Sequence, residues 1–221
     1  MLRRGASRIS EYPARRALRN RPGYILVPLQ VSSDSQLRTA SRGWCVLRLV
    51  DASLMALRDD HSAQQVVFKL HPLERGSADI KRMIFRRASE LGVDRHRIQV
   101  LHSGRMSELT RQSSGMIVIN STSAFSALHH DVPVLVLGQA VFRHSEIVTL
   151  GTSEEDVVAF FKLRHTKSSQ MIEAFFNDLK SQSLIPGDFY VARGRQVAIT
   201  GILDKLQQLQ RVSLKQKKAS P

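Results

Sequence analysis

Two apolar runs, Met116–Ile119 and Val132–Leu137, separated by one short polar segment, constrain the fold more than any other feature of the chain. Each is of strand length and lacks the alternation of a half-exposed strand, so both faces must be covered, as in a parallel sheet. Pro133 stays at the entrance of the second run, where a missing donor costs least. Between the runs, a polar turn leads into a two-turn helix. Asn120, Ser121, Thr122 and Ser123 fall where the first strand stops and that helix begins, so hydroxyls and free backbone N–H groups meet at one spot. Such a spot either receives an anion or only caps the helix.

The rest of the chain repeats this rhythm. Strands are predicted over Tyr24–Leu29, Gln65–Leu70, Arg97–Leu101 and Ile147–Leu150. Helical spacing predicts Trp44–Arg58, with Val46, Leu47, Val50, Leu54 and Leu57 inward, and Ala78–Leu91, with Ile80, Ile84 and Ala88 inward and Gly92 closing it. Further helices are expected over Ser107–Ser113, from a cap at Thr152 or Ser153 through Phe161, over Lys167–Lys180 and over Gln196–Gln210. The Lys167–Lys180 helix would turn Met171, Ile172, Phe175, Phe176 and Leu179 inward. Strands alternating with helices predict an α/β, Rossmann-like parallel sheet with helices on both faces. The expected organisation is a basic linker or leader over 1–21, one Rossmann-like domain over 22–204 and a basic tail over 205–221.

Charge separates the same three parts. The net charge is +14 over 221 residues. Seven Arg against Glu11 give residues 1–21 a charge of +6, five Lys/Arg give residues 205–221 a charge of +5, and +3 remains on residues 22–204. Basic ends on a near-balanced body suit solvated tails or attachment to an anionic surface better than a base-reading groove, so nucleic acid is not the expected partner. The single Cys45 excludes an internal disulfide, and its apolar neighbours in WCVLRLV predict a buried, inert thiol. The expected setting is therefore reducing and cytoplasmic. No run approaches a transmembrane helix, and the Arg-rich start lacks the apolar stretch of a secretory signal.

In an open α/β sheet, ligands bind at the carboxyl ends of the strands. The residues that follow the predicted strands are Gln30 with Asp34 and Ser35, His71 with Pro72, His102 with Ser103, Asn120 with Ser121 and Thr122, and Gly138 with Gln139. All are polar or small, and two histidines beside a hydroxyl cluster favour an anion-binding pocket on that edge over ordinary polar loops. There is no Walker loop and no GxGxxG after a strand. The histidines show no metal-ligand spacing, so no metal is expected. His129-His130 closes a helix, where a cation complements the dipole. No serine sits in a GxSxG elbow.

PLQVSSDSQ at 28–36, KLHP at 69–72, INSTSAFSALHHDVPVLVLGQAVF at 119–142 and PGDFY at 186–190 resemble, in this order, the motifs of bacterial capsule polysaccharide biosynthesis proteins. That family includes transferases that move Kdo (3-deoxy-manno-octulosonic acid) from CMP-Kdo to a lipid or glycan acceptor. The resemblance covers about residues 22–205. It implies the nucleotide-binding half of a GT-B glycosyltransferase, with CMP-Kdo as donor substrate, no other cofactor, and a glycolipid or polysaccharide acceptor. Lys69, His71 and Pro72 match the K-x-H-P positions, where a cation or N–H donor would stabilise charge on the departing phosphate. Asn120, Ser121 and Thr122 match the turn suited to phosphate or ribose. Gln30 and Asp34 match a Q-x-x-x-D pair. Asp34 fits either a base that acts on the acceptor or a loop cap, and His71 joins it as the catalytic candidate.

The chain also departs from the pattern. Ala124 replaces a usual glycine, Ser126 a usual glutamate, and Phe142-Arg143 a usual aromatic-acid pair. A family member would carry a whole N-terminal domain before Tyr24, where this sequence has 21 Arg-rich residues and Pro22-Gly23. The expectations are therefore a donor-binding half that works with an N-terminal-half partner, peripheral at the inner membrane, or a non-catalytic relative that modulates capsule assembly.

Overall fold

The computed structural model describes residues 23–31, 33–60, 64–188 and 190–219, with side chains described through residue 210. The expected leader, 1–21, lies outside the described residues. Those up to Ile172 form one compact unit and those from Glu173 a second.

The first unit is built on six parallel strands: β1 (Tyr24–Pro28), β2 (Val66–Lys69), β3 (Ile98–Leu101), β4 (Ser113–Val118), β5 (Val134–Val136) and β6 (Thr149–Leu150), in the order β3-β2-β1-β4-β5-β6. Every residue of β1 is buried, as expected of a central parallel strand. Leu26 lies between Val67 of β2 and Met116 of β4 in register. The strand order reverses between β1 and β4, so the crevice that this topology reserves for ligands opens above that pair.

Two groups of helices cover the sheet. Helices α1 (Ser35–Thr39) and α2 (Val46–Asp59) follow β1, α3 (Ser77–Glu90) follows β2, α4 (Met106–Arg111) follows β3, α5 (Ala124–His129) follows β4, and α6 (Glu154–Lys162) follows β6. α2 packs on α3 and α6, whereas α4 packs on α5. Two forked ion pairs fasten the first group. Arg87 of α3 grips Asp51 of α2 at 2.8 and 2.9 Å, and Arg48 of α2 grips Glu154 of α6 at 2.7 and 3.0 Å. Gly92, at φ +69°, ends α3 as predicted, and Val93 N–H closes on Ala88 O at 2.8 Å. Ser153 and Asp156 form a reciprocal cap on α6.

Four expectations need correction. α2 begins at Val46, so Cys45 is its exposed N-cap, not a buried core thiol, and its Sγ accepts from Arg48 N–H at 3.5 Å. Leu47 is 46% exposed because the buried stripe runs through Val46, Leu49, Val50, Leu54 and Leu57. Of the five residues expected inward on α7 (Ser169–Ser183), Ile172 is buried, Phe175, Phe176 and Leu179 are half-buried, and Met171 is exposed. The last helix, α8 (Ala192–Ala219), starts earlier than expected and continues through the basic run after Lys205. Within the second unit, the backbone of Gly187 lies against Ala198, which is 4% exposed. Among the described residues, no helix is long and apolar enough to cross a membrane.

Candidate functional site

The carboxyl edge of the sheet gathers most of the residues singled out from sequence, and hydrogen bonds join three of them across the crevice. Gln30, just beyond β1, donates through Nε2 to Asn120 Oδ1 at 2.9 Å and to Asp34 Oδ2 at 3.2 Å. Asn120, just beyond β4, donates through Nδ2 to the carbonyls of Gln36 and Ala40, each at 3.2 Å. Asp34 Oδ1 accepts Gln36 N–H at 2.9 Å and caps α1. The loop-cap reading of Asp34 is therefore realised, while its second oxygen holds Gln30 in place.

The Ala40 carbonyl is a hub. It also accepts Gln139 N–H at 2.7 Å, and Gly138 N–H reaches Ile119 O at 2.7 Å, so the loops after α1, β4 and β5 are tied together. Gly138 is needed at this crossing. A Cβ there would stand 2.8 Å from Ala40 O, 2.9 Å from Ile119 Cγ2 and 3.0 Å from Ile119 O.

His71, Asp34, Ser33, Glu74 and Arg75 share the wall of a cleft of about 580 Å3 beside the crevice. The His71 Nδ1 accepts Leu73 N–H at 3.1 Å. A ring nitrogen that accepts carries no proton, so in the neutral ring the hydrogen sits on Nε2. Glu74 bends back to accept Gly76 N–H at 2.9 Å ahead of α3. Pro72 is exposed in the same turn.

Lys69 lies beneath the edge, 4% exposed, with Nζ donating to Leu70 O at 2.7 Å and His102 O at 3.1 Å. It pins the ends of β2 and β3.

The turn after β4 differs from expectation. Ser123 N–H bonds Ser121 Oγ at 3.3 Å, and the N–H groups of Ala124, Phe125 and Ser126 bond the carbonyls three residues back at 3.0–3.1 Å. The N–H groups of Ser123 to Ser126 are thus consumed within the turn, because α5 is six residues long and winds in tightly from Ser121. The turn offers a ligand hydroxyls: Thr122 is exposed and Ser121 half-buried. Ser126 Oγ instead donates to Thr110 Oγ1 at 3.2 Å.

One residue of this edge was missed. Arg143 donates to Val136 O at 2.7 Å, Gly138 O at 3.1 Å and Gly151 O at 3.2 Å, joining the ends of β5 and β6. Burial, and secondarily the nearby Arg42, push its pKa below the usual value for arginine. The only sequence signal was the break from the aromatic-acid pair.

The model of the family described as "Capsule polysaccharide biosynthesis protein" matches residues 4–190. The chain belongs to that family. Among curated relatives, capsule polysaccharide modification protein LipB of Neisseria meningitidis serogroup A is 29% identical over 168 residues, 76% of this chain and 39% of LipB. Capsule polysaccharide export protein KpsS of Escherichia coli is 34% identical over 120 residues, 54% of this chain and 31% of KpsS. The chain thus spans well under half the length of these relatives. Among solved structures, the C-terminal domain of a glycosyl transferase group 1 family protein from Francisella tularensis superposes with a TM-score of 0.51 at 11% identity, over 76% of this chain and 90% of that domain. That likeness concerns the fold alone, an α/β, Rossmann-like domain.

Proposed function

We propose that the carboxyl edge of this sheet is the donor half-site of a capsule-type transferase, which binds CMP-Kdo and passes Kdo to a glycolipid or polysaccharide acceptor. The observation that carries this reading is the Gln30–Asp34–Asn120 knot at the strand-order reversal, beside a His71 whose free nitrogen bears the proton. Three tied side chains make the crevice rigid before any ligand arrives, which lowers the cost of ordering on binding.

The His71 Nε2–H would donate to the phosphate as the glycosidic bond to CMP breaks and charge grows on its oxygen. The buried Lys69 ammonium adds positive potential from below. Ser121 and Thr122 would hold ribose or phosphate through their hydroxyls, and Asn120 would act by positioning the turn. Asp34 Oδ2, which already accepts one bond, keeps lone pairs to take the proton of an acceptor hydroxyl. The acceptor side of such a site comes from a second lobe, in the same or another polypeptide. The basic run after Lys205 would favour an anionic inner-membrane face.

Titration calorimetry with CMP tests this. Loss of one hydrogen bond to an ionised phosphate costs about 1.5–3 kcal/mol, so His71→Ala should weaken CMP roughly ten- to a hundredfold. Absence of heat at millimolar CMP, or an unchanged affinity in the variant, would sink the site assignment.

A second reading, a non-catalytic relative that binds without turnover, is favoured by Ser126. It occupies the position of a usual glutamate and is turned to Thr110. A stable CMP complex with no transfer after the second lobe is supplied would support it.

A further inference from the structure

We propose that a groove along α3, outside the donor site, binds a segment of an acidic sugar chain. The groove has a volume of about 800 Å3 and is lined by four cations, Lys81, Arg82, Arg86 and Arg95, against one carboxylate, Asp79. Residues 22–204 carry a net charge of only +3 by sequence, so a surplus of this size in one groove is a concentration and not a reflection of the whole.

Three observations give the groove more content than a solvated helix face. Its floor is apolar, with Met83 and Phe85 half-buried. Arg95 reaches over from the turn after α3 and is stacked on Phe85, its Cζ 4.5 Å from the ring centroid, so one guanidinium is held in place before binding. Arg82 is paired with Asp79 and Arg86 with Glu90, the latter at 3.7 Å, whereas among the described residues neither Lys81 nor Arg95 pairs with a carboxylate. Fixed guanidinium forks suit carboxylates and phosphates.

The position of the groove indicates how it is used. The donor cleft is lined as far as Arg75, in the loop before α3, and the groove begins three residues on at Ala78, in the first turn of that helix. From Ala78 to Arg86 it follows α3 for roughly 12 Å at 1.5 Å per residue. The two are neighbours along the chain, which places the groove within reach of a polymer that extends past Arg75.

Stacked nucleic-acid bases fit less well. Binding of single strands relies on successive exposed aromatic faces, and this groove has one ring, with a face already taken by Arg95. A chain of acidic sugars needs only spaced cations and a shallow apolar floor. The proposal rests on the polysaccharide half of the reading above and is independent of the nucleotide.

The test uses the full chain and three defined probes: polysialic acid, dextran of matched length, and oligouridylate of matched charge. Lys81→Glu, Arg86→Glu and Arg95→Glu are combined in one variant. Lys215→Glu, Lys217→Glu and Lys218→Glu, combined in another, make the same change in net charge elsewhere. Polysialic acid should bind the wild type more tightly than oligouridylate does, dextran should not bind, and the groove variant should lose at least tenfold while the tail variant loses much less. The CMP affinity of the groove variant should be unchanged, which separates failure of the groove from failure of the donor site. Equal losses in the two variants, retention of binding by the groove variant, tighter binding of oligouridylate, or no binding of polysialic acid at low salt would overturn the proposal. Melting curves of both variants identify any loss that comes from unfolding, and in that case Lys81→Gln with Arg86→Gln provides the decisive comparison.

Discussion

Replacing Asn120 removes the bond that closes the crevice between β1 and β4, and two substitutions separate the parts of its role. Asn120→Ala deletes three hydrogen bonds: one accepted from Gln30 at 2.9 Å and two donated to Gln36 O and Ala40 O at 3.2 Å. At a net ~1 kcal/mol each for partly buried groups, less for the longer two, the cost is roughly 2–3 kcal/mol. For a chain of this size that lowers Tm by roughly 4–12 °C. Asn120→Asp keeps the oxygen that accepts from Gln30 but points a second oxygen at two carbonyls, which adds a desolvated, unpaired acceptor worth roughly 1–3 kcal/mol more. The introduced carboxyl therefore has a folded-state pKa above its unfolded one. Its extra penalty is absent at low pH and develops as pH rises through about 4, the ordinary aspartate range. Thermal unfolding of both variants from pH 3 to pH 7 reads this directly. A melting difference between the two variants that does not change from pH 3 to pH 7 would refute the assigned amide orientation and, with it, the argument that Asn120 holds the edge together.

Gly138→Ala forces a Cβ to within 3.0 Å of two backbone carbonyls, Ala40 O and Ile119 O, so backbone must move. The expected loss is roughly 1–3 kcal/mol in urea unfolding, accompanied by weaker CMP binding because the same loops frame the crevice. Asp156 is held ionised first by the Thr152 N–H and then by Ser153, which depress its pKa. A depressed folded-state value stabilises above the unfolded one and is lost as pH falls through it, so Asp156→Asn should be less stable than wild type above about pH 4 and converge with it in more acid solution.

The strands and their carboxyl ends were readable because strands buried on both faces are continuous apolar runs, and Tyr24–Leu29 and Met116–Ile119 are too short for a buried helix. Helix phase was less legible. Leu47 and Leu49 are chemically identical, and only the packing of α2 on α3 and α6 decides which is buried. The residues of the candidate edge could be named from sequence, but their bonding could not. Gln30 and Asn120 are ninety positions apart, and nothing local specifies that β1 lies beside β4. The tight i to i+3 turn after Asn120 was hidden for a related reason: a serine-rich start to a helix can cap N–H groups or leave them to the turn itself.

The Ala40 hub has a consequence for any survey of tolerated substitutions. Its contribution is a main-chain oxygen, which every residue type supplies, so replacements at position 40 leave the acceptor in place. A mutational map would score the centre of this edge as permissive while its periphery, Asn120 and Gly138, scored as intolerant. The point on which three loops converge would be inconspicuous in such a map, because amino-acid replacement changes side chains and leaves the carbonyl beneath them.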